Sequence, residues 1–155
     1  MSKLNDTLKE IQINKTEKVV YALNTDYEVF HKYAMNTEFY PGTNEYGQPR
    51  DNAKDGVYKD GTYTDIDYPN EPDLNSGYGW AYINIDDRGR ALHGGGANLG
   101  WDEALEPFQS ELLPTLGCFR MNNADVFHLA LMVRRARKKG VEVVIHVVSE
   151  PTRRE

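Results

Sequence analysis

One stretch of this 155-residue chain reads as a clear helix, beside a weaker helical spacing of Trp101, Leu105, Phe108 and Leu112 that Pro107 interrupts. Between Ala124 and Lys139, Val126, Leu129, Ala130, Val133 and Ala136 recur at the spacing that lines one side of a helix. Asn122 or Asn123 offers a side chain to cap its start, and Gly140 marks its end. Arg134, Arg135, Arg137, Lys138 and Lys139 crowd the last turns, where cations complement the helix dipole.

The remaining regular structure reads as short strands. Lys18–Leu23 and Tyr27–Met35 are rich in β-branched and aromatic residues and flank Asn24-Thr25-Asp26, a turn sequence, so they predict a hairpin. Gly61–Ile66, Trp80–Ile85 and Ala91–His93 are further strand candidates, the last two joined by the turn Asp86-Asp87-Arg88-Gly89. Val141–Val148 is an apolar strand interrupted only by Glu142 and His146. Pro41–Asp60 and Asp67–Gly79 are rich in Gly, Pro, Asn, Asp and Tyr and read as long loops. The tyrosines of this region, Tyr40, Tyr46, Tyr58, Tyr63, Tyr68 and Tyr78, either cover the core or line a groove for an extended ligand.

A chain of this length suits one domain with a substantial core. No apolar run approaches the roughly 20 residues of a membrane span, so none is expected. Met1 to Lys18 is polar throughout, without the apolar stretch of a secretory signal, and the expectation is synthesis in the cytoplasm without a signal peptide. Residues 1–117 hold ten Lys/Arg against twenty Asp/Glu, whereas residues 118–155 hold eight against four. The basic excess is accounted for by the helix end, and an acidic domain argues against nucleic acid as a partner.

The chain has one cysteine, which excludes an intramolecular disulfide and a multi-cysteine metal site. Cys118 follows Gly117, whose small size permits a tight backbone with N–H groups able to receive a developing oxyanion. Arg120, two residues on, falls on the same side of an extended strand, where it would favour the thiolate and grip a substrate carboxylate. Of four histidines, His128 lies within the helix, His146 within an apolar strand, and His31 in the early hairpin without polar companions. His93 closes a strand and precedes Gly94-Gly95-Gly96, where a backbone or ligand can approach closely, so it is the candidate base.

Arg90-Ala-Leu-His93-Gly-Gly, then Thr115-Leu-Gly117-Cys118-Phe-Arg120-Met-Asn-Asn-Ala-Asp125, and finally Lys139-Gly140-Val-Glu-Val-Val-Ile together resemble the catalytic half of L,D-transpeptidases. The family pattern is a strand-end His-Gly, then Ser/Thr-x-Gly-Cys with Arg or Asn close behind, a helix opened by Asp, and a Gly turn into a strand. Lys18–Met35 is similar to the family's opening hairpin, and Tyr58-Lys-Asp-Gly61-Thr-Tyr63 to its Pro-x-Gly-x-Tyr/Phe segment without the Pro. The resemblance spans residues 18–148, leaving 1–17 as an extension and 149–155 as a tail. It departs from the pattern at Leu116, where many members carry His, at Gly95, where Thr or Ser is usual, and in the 24 residues between His93 and Cys118. Within that interval Ala97–Pro114, with Trp101, Phe108 and Leu112, would form an enlarged cap.

The resemblance implies a mainly β fold of two packed mixed β-sheets, an L,D-transpeptidase-like sandwich with one helix in the C-terminal half. It also implies acyl transfer on peptidoglycan stem peptides through a Cys118 acyl-enzyme. A second stem's amine would resolve this to a cross-link, or water would resolve it to a trimmed stem. The implied site comprises Cys118 and His93 as catalytic residues, with Gly117, Arg120, Thr115, Gly94 and Tyr82 binding the oxyanion or substrate, no metal ligand and no cofactor. Action in the periplasm or cell wall by a chain made without a signal fits a delivered toxin or a phage protein, with an immunity or delivery protein as partner in the toxin case. Two other functions are compatible with these residues: a non-catalytic peptidoglycan- or peptide-binding module with an inert Cys118, and a cytoplasmic amidase acting on another D-amino-acid peptide.

Overall fold

The computed structural model describes residues 5–37, 42–43, 47, 53–59, 64–66, 81–86, 90–94 and 118–149, with 64–66 described in their backbone alone. These form nine strands and one helix in the order β1 (Leu8–Asn14), β2 (Val19–Asn24), β3 (Val29–Asn36), β4 (Gly56–Tyr58), β5 (Thr64–Ile66), β6 (Ala81–Asn84), β7 (Ala91–His93), β8 (Phe119–Met121), α1 (Asn123–Lys138) and β9 (Val144–Val148). Neighbouring strands run β4-β9-β1-β2-β3-β8-β7-β6-β5. The sheet is mixed, because β1 lies parallel to β9 and β7 parallel to β8, while the other pairs are antiparallel. The mainly β class is therefore as expected, and its two halves are continuous through β3.

One apolar cluster joins the halves. Ile11, Ile13 and Ala22 from the first half and Ile83, Leu92, Phe119 and Met121 from the second belong to the same buried core. Strand alternation explains the assignment: each of these residues is flanked in sequence by one that points to the other face. Helix α1 closes the core against β1, β5, β6 and β7. Its stripe of Val126, Leu129, Ala130, Val133 and Ala136 is buried throughout, and Met132 joins it. Truncating Leu129 to Ala would remove core volume that its neighbours cannot refill, at a cost of about 2–5 kcal/mol.

The hairpin expected around Asn24 is β2–β3. The Asn24 side chain organises its turn, with Oδ1 accepting the N–H of Asp26 at 2.9 Å and of Glu28 at 3.0 Å. Tyr27 there adopts φ 60°, a left-handed conformation that the surrounding bonds hold. The helix starts at the cap Asn122, whose side chain accepts the Ala124 N–H, and ends where Gly140 turns at φ 81°.

Three expectations are corrected. Residues 8–14, assigned to an extension, form β1, a central strand between β2 and β9. The signal was alternation, with Ile11 and Ile13 in the core, but the intervening polar residues mask a strand on which Gln12 and Asn14 are buried as well. Within the segment read as a long loop, Gly56–Tyr58 pairs with β9 as β4. His31 has companions: its ring stacks on Tyr33 and meets His128 edge-on at 4.8 Å, and the Tyr33 hydroxyl bonds His128 Nδ1 at 2.7 Å. The Asp67–Gly79 loop, the Ala97–Pro114 cap, and Tyr40, Tyr46, Tyr63, Tyr68 and Tyr78 lie outside the described residues.

Candidate active site

The site is assembled by strand register. In the parallel β7–β8 pair, Leu92 lies beside Phe119 and His93 beside Arg120. One step back, the backbone of Ala91 hydrogen-bonds the Cys118 thiol. On the other side of β7, antiparallel β6 sets Tyr82 opposite His93 and Asn84 opposite Ala91. Beyond β8, Asn36 of β3 lies opposite Arg120. Two polar rows therefore cross the sheet, Asn36–Arg120–His93–Tyr82 and Cys118–Ala91–Asn84. Alternation sends their neighbours Met121, Phe119, Leu92 and Ile83 to the opposite face, where all are fully buried. Adjacent rows on one face are about 7 Å apart along the strands.

His93 is buried, and its Nδ1 lies 2.6 Å from the Gly94 carbonyl oxygen. A carbonyl can only accept, so Nδ1 carries the proton and Nε2 is the basic nitrogen of the neutral ring. Burial, with the positive charge of Arg120 adding to it, lowers the His93 pKa to about 4. The imidazole is thus neutral and able to take a proton across the physiological range. Burial also pushes the Cys118 thiol up to about 11, against weaker downward pulls from the backbone bond to Ala91 and from Arg120 and Arg90. The half-buried thiol is protonated at neutral pH. The expectation that Arg120 would hold it as a thiolate is corrected, since desolvation outweighs the attraction.

Arg120 is also corrected as a grip for substrate. Its side chain is 1 % exposed, and Nη1 donates to the Gly94 carbonyl at 2.6 Å. It acts inward, fixing the residue that fixes His93. Gly94 is constrained as well, because a Cβ there would overlap the amide oxygen of Asn123 and lie 2.8 Å from its Cγ. Tyr82 donates its hydroxyl to Asn84 Oδ1 at 3.1 Å, and Asn84 in turn donates to the Asp86 carbonyl at 2.9 Å. Cys118, His93, Gly94, Arg120 and Tyr82 therefore converge on three adjacent strands, whereas Thr115 and Gly117 lie outside the described residues.

Sequence reasoning overlooked Asp86, assigned only to a turn. Its carboxylate accepts Arg90 Nε at 2.7 Å and the Arg90 backbone N–H at 3.2 Å, and both side chains are mostly buried. Asp86 and Arg90 act on the Cys118 thiol with opposite signs. The available signal was the polar spacing Tyr82-x-Asn84-x-Asp86 on one strand face. Asn123, fully buried against Gly94, was considered only as a cap. Among the described residues, no group of three or more His, Cys, Asp or Glu could hold a metal ion, and no helix is long and apolar enough to cross a membrane.

The mixed sheet thus brings Cys118, just ahead of β8, beside the parallel strand β7 that ends in His93. The fold is similar to that of the L,D-transpeptidase from Xylanimonas cellulosilytica, over 91% of this chain and 60% of that one, at 13% identity and a TM-score of 0.53. It is also similar to the Ldtfm–avibactam carbamoyl enzyme, over 96% of this chain and 51% of that one, at 16% identity and a TM-score of 0.50. The chain spans between half and three fifths of the length of these structures. No family model and no curated protein matches the sequence. The chain has an L,D-transpeptidase-like fold.

Proposed function

We propose that the chain is a cysteine acyltransferase acting on peptidoglycan stem peptides, with Cys118 as nucleophile and His93 as base. The observation that carries this reading is the β7–β8 register, which sets a neutral, Nδ1-protonated His93 one row from the Cys118 thiol. The reaction starts from an uncharged pair. Nε2 of His93 takes the thiol proton as sulfur attacks the peptide carbonyl, the C–N bond breaks, and the imidazolium returns the proton to the leaving amine. An acyl-thioester remains, to be resolved by an amine or by water.

Incubating the protein with purified tetrapeptide stems, with and without a second stem as acceptor, tests the reading by mass spectrometry. Loss of the terminal residue with formation of a dimer or a tripeptide is expected. Unchanged stems over many hours would refute it. The raised thiol pKa favours a second reading, a peptide-binding module of the same fold with an inert cysteine. That module would bind stems without an acyl-enzyme mass shift.

A further inference from the structure

Cys118 sits between two chemically different sides. In one direction along the strands, the next row contains His93 and Arg120. In the other direction, the alternation that puts Tyr82 and Asn84 on the thiol's face brings Asp86 to that face too. Ile83 and Ile85, the intervening residues, are buried on the core side. Arg90 holds this carboxylate through two donors, a side-chain N–H and a backbone N–H, which fixes its position. Tyr58 on β4 responds to Asp86 as well, so the carboxylate lies within electrostatic reach of both β4 and the cysteine strand. Of the Asp86–Arg90 pair, Asp86 has the larger effect on the thiol. Cys118 therefore lies between the His93–Arg120 row on one side and a carboxylate on the other.

We infer that Asp86, positioned by Arg90, docks the ammonium group of the acyl acceptor, so that a primary amine rather than water resolves the acyl-enzyme. The inference rests on the reading of Cys118 as nucleophile. The step balances: the docked ammonium gives one proton to water, its nitrogen attacks the thioester carbonyl, and the C–S bond breaks. The second nitrogen proton passes through His93 to the departing sulfur, leaving an amide and a free thiol.

The test uses the single cysteine of the whole chain. Cys118 is labelled with a cationic reagent, 2-(trimethylammonio)ethyl methanethiosulfonate, and an anionic one, 2-sulfonatoethyl methanethiosulfonate, at low salt. Both react with the same thiolate population, so any change in thiol pKa cancels in the ratio of their rates. Asp86→Asn is expected to lower the cationic-to-anionic ratio at least about fivefold, as loss of a nearby charge should, and Asp86→Glu to restore most of it. If the single variant does not fold, Asp86→Asn/Arg90→Gln is compared with Arg90→Gln, so that only the charge at Asp86 differs. An unchanged ratio in the folded variant overturns the inference, and so does failure of both reagents to label native Cys118. A shifted ratio together with no turnover of stem peptides keeps the cation-docking role of Asp86 and removes the proposed substrate. With turnover, Asp86→Asn is expected to lower the yield of amine transfer relative to hydrolysis.

Discussion

Arg120 donates Nη1–H to the carbonyl oxygen of Gly94 at 2.6 Å, and the same oxygen accepts Nδ1–H of His93 at 2.6 Å. One peptide carbonyl thus fixes both the buried cation and the tautomer of the candidate base. Arg120→Lys keeps the charge but loses the planar fork. We expect it to cost about 2–4 kcal/mol of stability in urea unfolding, the scale for weakening a buried charge's partners, and to lower kcat on stem peptides with KM little changed. A raised KM at unchanged stability would show that the guanidinium reaches substrate after all.

Cys118→Ala is expected to abolish turnover of stem peptides while the fold persists. The thiol is half-buried and its removal deletes one small group, a loss of about 1 kcal/mol. Near-wild-type turnover in this variant would dismiss the cysteine as nucleophile.

His93→Ala should reduce the rate at least about 100-fold, the usual worth of a general base. His128→Ala serves as contrast. It loses the bond to the Tyr33 hydroxyl at 2.7 Å, which should cost about 1 kcal/mol of stability but leave the rate unaltered. An essential His128 beside a dispensable His93 would reverse the assignment.

Gly94→Ala places a methyl group onto the Asn123 amide. Overpacking of this kind costs about 1–3 kcal/mol, and here it also displaces the carbonyl that orients His93. Asn123→Ala in the Gly94→Ala background should recover much of the stability, because the closest atoms belong to the Asn123 side chain. A double variant no more stable than Gly94→Ala would mean that the backbone clash at 3.3 Å dominates.

Stability should depend on pH through His93. Its pKa falls from 6.5 to about 4 on folding, so between these values the unfolded chain binds more protons. Stability is full above about pH 6.5 and declines as pH falls toward 4, by roughly 3 kcal/mol for this group. His128 is also lowered, by burial first and then by His31 and Arg135, and pulls in the same direction. Chemical unfolding of wild type and His93→Gln at pH 7 and pH 4.5 isolates the contribution. Parallel losses in both proteins would remove His93 as the source. The Cys118 thiol, raised to about 11, should show an alkylation rate still climbing above pH 9.

The residues around Cys118 and His93 were singled out by local chemistry: a lone thiol after glycine, a strand-ending histidine before three glycines, and an arginine two residues beyond the thiol. The helix was equally legible, because its buried stripe, its Asn122 cap and its Gly140 stop are all encoded within a few turns. Local chemistry could not show which strands lie side by side. β7 and β8 are separated by 25 residues in the chain, and their parallel register alone decides that His93 meets Arg120 and that Ala91 meets Cys118. Likewise β1, polar on alternate positions, became a core strand only because β9, some 130 residues later, pairs along its length. Burial did the rest. It turned Arg120 from a substrate grip into a brace for Gly94, neutralised His93, and kept Cys118 protonated, since the cost of removing a charge from water depends on everything packed around it.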